Sequence, residues 1–136
     1  MDIKAVCLDT DILVDHLRGE EKAVRQIQEL EDSGGILSTT TINAFELYYG
    51  AQKTEKRKGS RDAVKKLLGR LVIHDFTEKA AEKAGEIVAH LEAEGNPIEF
   101  RDAFIGATAI ANKSTLFTKN IRHFERISEL ELHTPN

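Results

Sequence analysis

The chain predicts an α/β protein, a three-layer α/β/α sandwich around a central, mostly parallel sheet of four to five strands. Three observations carry this. Val6-Cys7-Leu8 and similar short apolar runs are too short for helices and lack polar alternation, the pattern of strands buried on both faces. These runs alternate with segments whose apolar residues recur at helical spacing, as in β–α–β units. The first run ends abruptly on Asp9-Thr10-Asp11, and parallel sheets place their ligand sites outside the carboxyl ends of their strands.

The elements follow in order. Ile3 to Leu8 is the first strand. Ile12 to Leu17 is a short helix stopped by Gly19. Glu20 to Asp32 is amphipathic, with Ala23, Val24, Ile27 and Leu30 on one side. Ser33-Gly34-Gly35 breaks it, and Ile36-Leu37-Ser38 is the second strand. Thr39-Thr40-Thr41 offers caps for a helix from Ile42 to Ala51, whose apolar side is marked by Ile42, Phe45 and Tyr49. A basic helix runs from Glu55 to Gly69. Leu71 to Phe76 is the third strand, with Thr77 as a cap for a long helix ending near Gly95. Asn96-Pro97 is a turn. Asp102 opens a helix through Ala111, rich in small residues that allow close packing on a sheet. Thr115 to Thr118 is the fourth strand, and Leu130-Glu131-Leu132 is a fifth at the edge. Periodicity does not give the order of strands in the sheet.

With 136 residues, one domain spanning residues 1–136 is expected, large enough for a core without staples. Apolar residues make up 40% and there are only two prolines, which excludes global disorder. Cys7 is the only cysteine, so no internal disulfide forms, and its place in a buried run makes it a core residue. The apolar run after Met1 is too short for a signal peptide, and nothing approaches the roughly 20 apolar residues of a membrane span. A cytoplasmic protein is expected.

The net charge of −4 argues against a nucleic-acid partner, but its distribution qualifies that. The stretch from Lys53 to Arg70 carries a local charge of +6. Lys56, Arg57 and Lys58 are its densest part and the candidate substrate-binding residues. A solvated helical surface is the alternative for this run.

Three acids stand at informative places. Asp9 follows the first strand. Glu46 lies beside the apolar side of its helix, where an unpaired carboxylate is costly. Asp102 opens the helix after the Asn96-Pro97 turn. Acids brought together repel unless a cation neutralises them. Oxygen-only ligand sets select hard cations such as Mg²⁺ or Mn²⁺. Such a site activates water and stabilises charge on a phosphoryl group. Each acid also has a plainer role open to it. Asp9 and Asp102 suit helix caps, Glu46 suits an ion pair with a basic neighbour, and Thr118 and Asn120 suit strand-end turns.

Four segments resemble the PIN-domain family, specifically the VapC-type toxin ribonucleases of type II toxin–antitoxin systems. They are LDTDILVDHLRG from Leu8, STTTINAFELYYG from Ser38, IEFRDAFIGATAIA from Ile98 and LFTKNIRHFERISELEL from Leu116. The likeness covers nearly the whole chain, in order and at family-like spacing. It implies that Asp9, Glu46 and Asp102 are the catalytic, metal-holding acids. Thr10 completes the usual Asp-Thr opening, Asp11 stands where Asn or Ser is common, and Thr118 matches the strand-end Thr. Asn120 falls where the family often has a fourth acid and joins the catalytic set, its amide oxygen able to ligate or hold a metal-bound water, but it leaves the set one charge short for a second tightly held metal. The resemblance further implies a Mg²⁺- or Mn²⁺-dependent endoribonuclease acting on structured RNA such as tRNA or rRNA. It implies homodimerisation, a VapB-type antitoxin partner, and DNA contact only through that antitoxin.

Two other readings compete. One is a non-catalytic RNA- or partner-binding module on the same fold. The other is a phosphatase of the haloacid dehalogenase class, whose first motif also reads Asp-x-Asp after a buried strand. Ile12-Leu13-Val14 lacks the small residue and Thr that the second would require.

Overall fold

The computed structural model describes residues 5–135. The chain runs β1 (Ala5–Leu8), α1 (Thr10–Leu17), α2 (Glu21–Asp32), β2 (Ile36–Thr40), α3 (Thr41–Gln52), α4 (Arg57–Leu68), β3 (Val72–His74), α5 (Glu78–Ala93), α6 (Phe100–Ala111), β4 (Thr115–Phe117), α7 (Ile121–Phe124) and β5 (Leu132–His133). The strands form one sheet in the order β3-β2-β1-β4-β5. Every pairing is parallel, so the expectation of a mostly parallel sheet of four to five strands is met by five, all parallel.

β1 lies at the centre, apolar on both faces and paired on both edges. Val6 pairs with Leu37 on one side and Thr115 on the other. Its side chains alternate between two cores. Val6 and Leu8 join Phe117, Leu37 and the inner faces of α1 to α4. Cys7 joins Leu116 and the inner faces of α5, α6 and α7. Burial pushes the Cys7 thiol up to about 12, helped by the Asp9 charge and only partly opposed by a Ser38 hydrogen bond. This is an inert core thiol, as the sequence suggests. Sequence order reverses at β1: the chain moves outward to β2 and β3, then returns to build β4 and β5 on the other side. The ends of β1 and β4 therefore form the switch point where open parallel sheets place ligands.

α6 is buried along much of its length. Ala103, Ala107 and Ala109 are fully buried. A Cβ on Gly106 would stand 2.8 Å from Ile127 Cδ1, so glycine here permits the approach of the loop after α7. At the end of α1, Gly19 has φ +74°, which explains why the helix stops there.

Several boundaries differ from the sequence reading. Residues 3 and 4 of the expected first strand lie outside the described residues. The basic helix begins at Arg57 and ends at Leu68. β3 is shorter than Leu71 to Phe76, and β5 sits two residues later than expected at its start. α6 begins at Phe100, with Glu99 at its cap, so Asp102 lies inside the first turn and is not the helix cap. α7 was not anticipated, since four residues are too few for periodicity to register.

The largest correction concerns α3. Its buried residues are Asn43, Leu47 and Ala51, while Phe45 is 65% and Tyr49 54% exposed. Aromatic residues mark the outer side, and a polar Asn fills the inner one. Apolar content misleads here because the inner face meets a polar site.

Phe124 is fully buried and anchors α7 to the α5–α6 core. Phe124→Ala costs about 3–5 kcal/mol, read as a lower urea midpoint at unchanged slope. A midpoint equal to that of the parent would mean that α7 is not held by this contact.

Candidate active site

The site is built outward from the end of β1. The Asp9 main chain continues the sheet, its N–H donating to the Phe117 carbonyl at 2.9 Å. Its side chain is fully buried. An ionised carboxylate in that position needs donors, and four surround it. Thr10 N–H donates to Oδ1 at 2.8 Å, Asn43 Nδ2 to Oδ1 at 3.1 Å, Arg101 Nη2 to Oδ1 at 3.1 Å, and Thr118 Oγ1 to Oδ2 at 2.7 Å. Asp9 is thus the α1 cap proposed from sequence and also the hub of a site drawn from four elements.

Each neighbour has a reason to be there. Thr118 follows β4, the strand beside β1, so its hydroxyl meets Asp9 across the switch point. Its backbone neighbour Lys119 donates its N–H to Asp11 Oδ2 at 2.9 Å, and Asp11 Oδ1 accepts from Ile12 N–H at 2.8 Å. Burial, then the Asp9 charge, raises the Asp11 carboxyl above its ordinary value despite these bonds and the Lys119 charge. Thr40 caps α3, accepting from the Asn43 N–H at 3.2 Å. Its hydroxyl donates to Asn43 Oδ1 at 2.6 Å, which turns the amide Nδ2 toward Asp9 and toward Thr10 Oγ1, 2.8 Å away. Thr10 then donates to Glu46 Oε1 at 2.5 Å.

Glu46 and Asp102 reach the same place from α3 and α6. Arg101 joins all three acids. Its Nε donates to Glu46 Oε2 at 2.9 Å and its Nη2 to Glu46 Oε1 at 2.8 Å, a fork-on-fork pair. Its Nη1 donates to Asp102 Oδ1 at 2.8 Å. Burial works against the charge of Arg101, but the bonds to Glu46 and Asp102 and the charge of Asp9 hold it well above its ordinary range. His123, from α7, stands 3.3 Å from Asp102 Oδ2 and is half exposed. No buried side-chain nitrogen or oxygen lacks a partner among the described residues.

The structure therefore brings together Asp9, Glu46 and Asp102, with Thr10, Asp11 and Thr118 in support. The ion-pair role considered for Glu46 is realised, with Arg101 as the partner. Asn120 is exposed at the start of α7; its N–H donates to Thr118 Oγ1 at 3.0 Å, and its side chain caps nothing. Lys56, Arg57 and Lys58 are exposed at the start of α4 and make no ion pair with the acids. Sequence reasoning missed Arg101, Asn43 and His123. The one available signal for Arg101 was a cation directly before a candidate metal-holding acid.

The donor set fits a hard cation in chemistry: carboxylate oxygens from three separate elements, supported by hydroxyls. With Arg101 between them, however, no three His, Cys, Asp or Glu groups among the described residues stand close enough to share one ion. The guanidinium occupies the place where their oxygens converge.

Comparison with known proteins agrees with the fold. The PIN domain family model matches residues 6–130. The chain is 34% identical to ribonuclease VapC2 of Rickettsia felis, over 92% of this chain and 93% of that protein. It is 28% identical to the tRNA(fMet)-specific endonuclease VapC of Shigella flexneri, over 90% and 92%. The crystal structure of VapBC2 from Rickettsia felis bound to a promoter DNA fragment superposes with a TM-score of 0.90 at 30% identity, covering 97% of this chain and 99% of that one. The chain belongs to the PIN-domain family, and within it to the VapC type.

Burial pushes the Glu46 carboxyl up, but the Arg101 and Thr10 hydrogen bonds and the Arg101 charge bring it to a net position below 4.5. A lowered carboxyl stabilises the fold above its ordinary value and loses that contribution as pH falls through the lowered one. In chelator, Glu46→Gln therefore melts below the parent at neutral pH, and the gap closes well below pH 4.5. A gap that is the same at both pH values would mean that the ion pair contributes no stability.

Proposed function

We propose that the protein is a Mg²⁺- or Mn²⁺-dependent endoribonuclease of structured RNA and the toxin of a toxin–antitoxin pair. The observation that carries this reading is the convergence of Asp9, Glu46 and Asp102, from three elements far apart in sequence, at the switch point of a parallel sheet. A structural role alone gives no reason to gather three acids there.

Asp9, Glu46 and Asp102 would hold the ion. When bound, it supplies the charge that activates an attacking water and stabilises the phosphoryl group. The remaining residues prepare that place. Thr118, Asn43 and the Thr10 N–H fix the Asp9 carboxylate, and Thr10 Oγ1 fixes Glu46. Asn120, at the exposed rim, offers an amide oxygen that can orient water without adding charge. Lys56, Arg57 and Lys58 gather the polyanion. Three cations and no acid occupy the start of α4, where the helix dipole disfavours positive charge, so this arrangement serves something other than helix stability.

Protein partners have surfaces to meet. Phe45 and Tyr49 stack at 5.9 Å on the outer side of α3, and Phe100 is also exposed. This face suits a second copy of the chain. A groove of about 350 Å³ between α1, α3 and α4, lined by Leu17, Leu47, Ala51 and Val64 with Glu46 at its rim, suits a VapB-type antitoxin segment. DNA contact then comes through the antitoxin. No helix of the described residues is long and apolar enough to cross a membrane, and the cytoplasm is the compartment of the RNA substrate.

One observation favours the binding-module reading: Arg101 already neutralises the acids. Mg²⁺ calorimetry, with RNA cleavage assayed with and without chelator, separates the two. The phosphatase reading finds no available nucleophile in this site. Its nucleophile would be Asp9, which lies buried beneath four donors.

Asp9→Asn and Asp102→Asn each lower metal-dependent RNA cleavage on the order of 10²-fold or more. The double variant is scarcely worse, because the two act as a unit. A folded variant cleaving at the parent's rate overturns the catalytic assignment. Changing Lys56, Arg57 and Lys58 to Ala weakens RNA binding and flattens its salt dependence by about 0.7–0.9 per lost phosphate contact. An unchanged slope assigns them to solvated surface.

A further inference from the structure

We propose that Arg101 is a resident counter-ion of the acid cluster, which a divalent cation must displace in order to bind. The inference rests on the metal-site reading above and goes beyond it.

The geometry is specific. Arg101 spends four donor bonds on three carboxylates, and the oxygens it takes are Asp9 Oδ1, Glu46 Oε1 and Oε2, and Asp102 Oδ1. An ion held by Asp9, Glu46 and Asp102 needs lone pairs from these same carboxylates. Mg²⁺ demands a near-octahedral oxygen shell at about 2.0–2.1 Å, which leaves no room for a guanidinium among its ligands. The two cations therefore exclude one another.

Arg101 is built to leave as well as to stay. Its side chain is 28% exposed, while those of Asp9 and Asp102 are 0% and 4% exposed. It enters from the solvent side, at the first turn of α6 between the exposed Phe100 and the buried Asp102. Its departure opens no core. Its presence removes the repulsion that would otherwise act among acids at and beside a fully buried position. The fold thus tolerates the site without metal, at the cost of metal affinity.

The size of that cost follows from competition. If the arginine-free arrangement is populated at about 1–10%, apparent metal affinity falls about 10- to 100-fold. Arg101→Gln, which removes the competitor, should tighten Mg²⁺ binding by that factor in calorimetry. Arg101→Lys, a single-point cation without the fork, should lie between. In chelator Arg101→Gln melts well below the parent, and saturating Mg²⁺ restores it by more than it stabilises the parent.

The unmodified protein gives the direct test. In chelator, the Arg101 Nε–H resonance of ¹⁵N-labelled protein, identified by its loss in Arg101→Lys, is protected from solvent exchange. Saturation with Mg²⁺ should move it to the position and exchange rate of a free arginine. If Mg²⁺ saturates while that resonance stays protected and unshifted, Arg101 is not displaced and the proposal falls, with the metal site left standing. Variants binding Mg²⁺ no more tightly than the parent overturn it equally. If neither parent nor variants bind Mg²⁺, the metal reading and this proposal fail together. Metal binding by Arg101→Gln and Arg101→Lys alone supports it in its strongest form.

Discussion

A buried carboxylate needs donors from every side, and Asp9 obtains them from elements that no local interaction could bring together. Its main chain ends the central strand. Its oxygens are met by a hydroxyl following β4, an amide on α3, a guanidinium on α6 and the first N–H of α1. Removing any one leaves the buried carboxylate a donor short. This requirement fixes how α3 and α6 approach the sheet edge. The two apolar cores above and below the sheet supply most of the driving force, but neither would align these helices to within hydrogen-bond distance of one atom.

Satisfying Asp9 also shapes what surrounds it. Thr40 orients Asn43, Asn43 orients Thr10, and Thr10 orients Glu46, so a relay of short polar side chains carries the constraint from β2 to the second acid. Thr39 and Ser38, fully buried beside it, return their hydroxyls to the Leu8 and Val6 carbonyls. The polar run Ser38-Thr39-Thr40 thus ties strands together at its start and orders the acid cluster at its end. Buried networks of this kind are costly when broken and specific when complete.

The sequence made the architecture legible because burial leaves a plain mark. Val6-Cys7-Leu8 has no polar residue to spare, and that marks a strand buried on both faces of a parallel sheet. Asp9 could be found as the residue where the run stops, and Glu46 and Asp102 through their resemblance to a family pattern. Asn43 and Arg101 were not found, for one shared reason. Each is polar and faces inward because another polar group is there, so each is explained only by a partner that is 34 or 92 positions away. The reversed face of α3 is the same effect seen from outside: Phe45 and Tyr49 look like core to any rule that equates apolar with buried. Strand order was unreadable because it depends on contacts between elements and not on the period within one.

The parallel pairing of β1 with β4 has a consequence for when the site comes into existence. Asp9 and Thr118 meet across 109 positions of sequence. During synthesis, the chain emerges with its first strand and its first acid long before the strand that must lie beside it. Domains dominated by such long-range closure fold late and as a unit. A nascent or truncated chain ending before β4 holds Asp9 and Glu46 but neither the sheet edge that aligns them nor the hydroxyl that completes Asp9. The cluster around Asp9 therefore has no half-assembled form, and it closes only once β4 and Thr118 have been added.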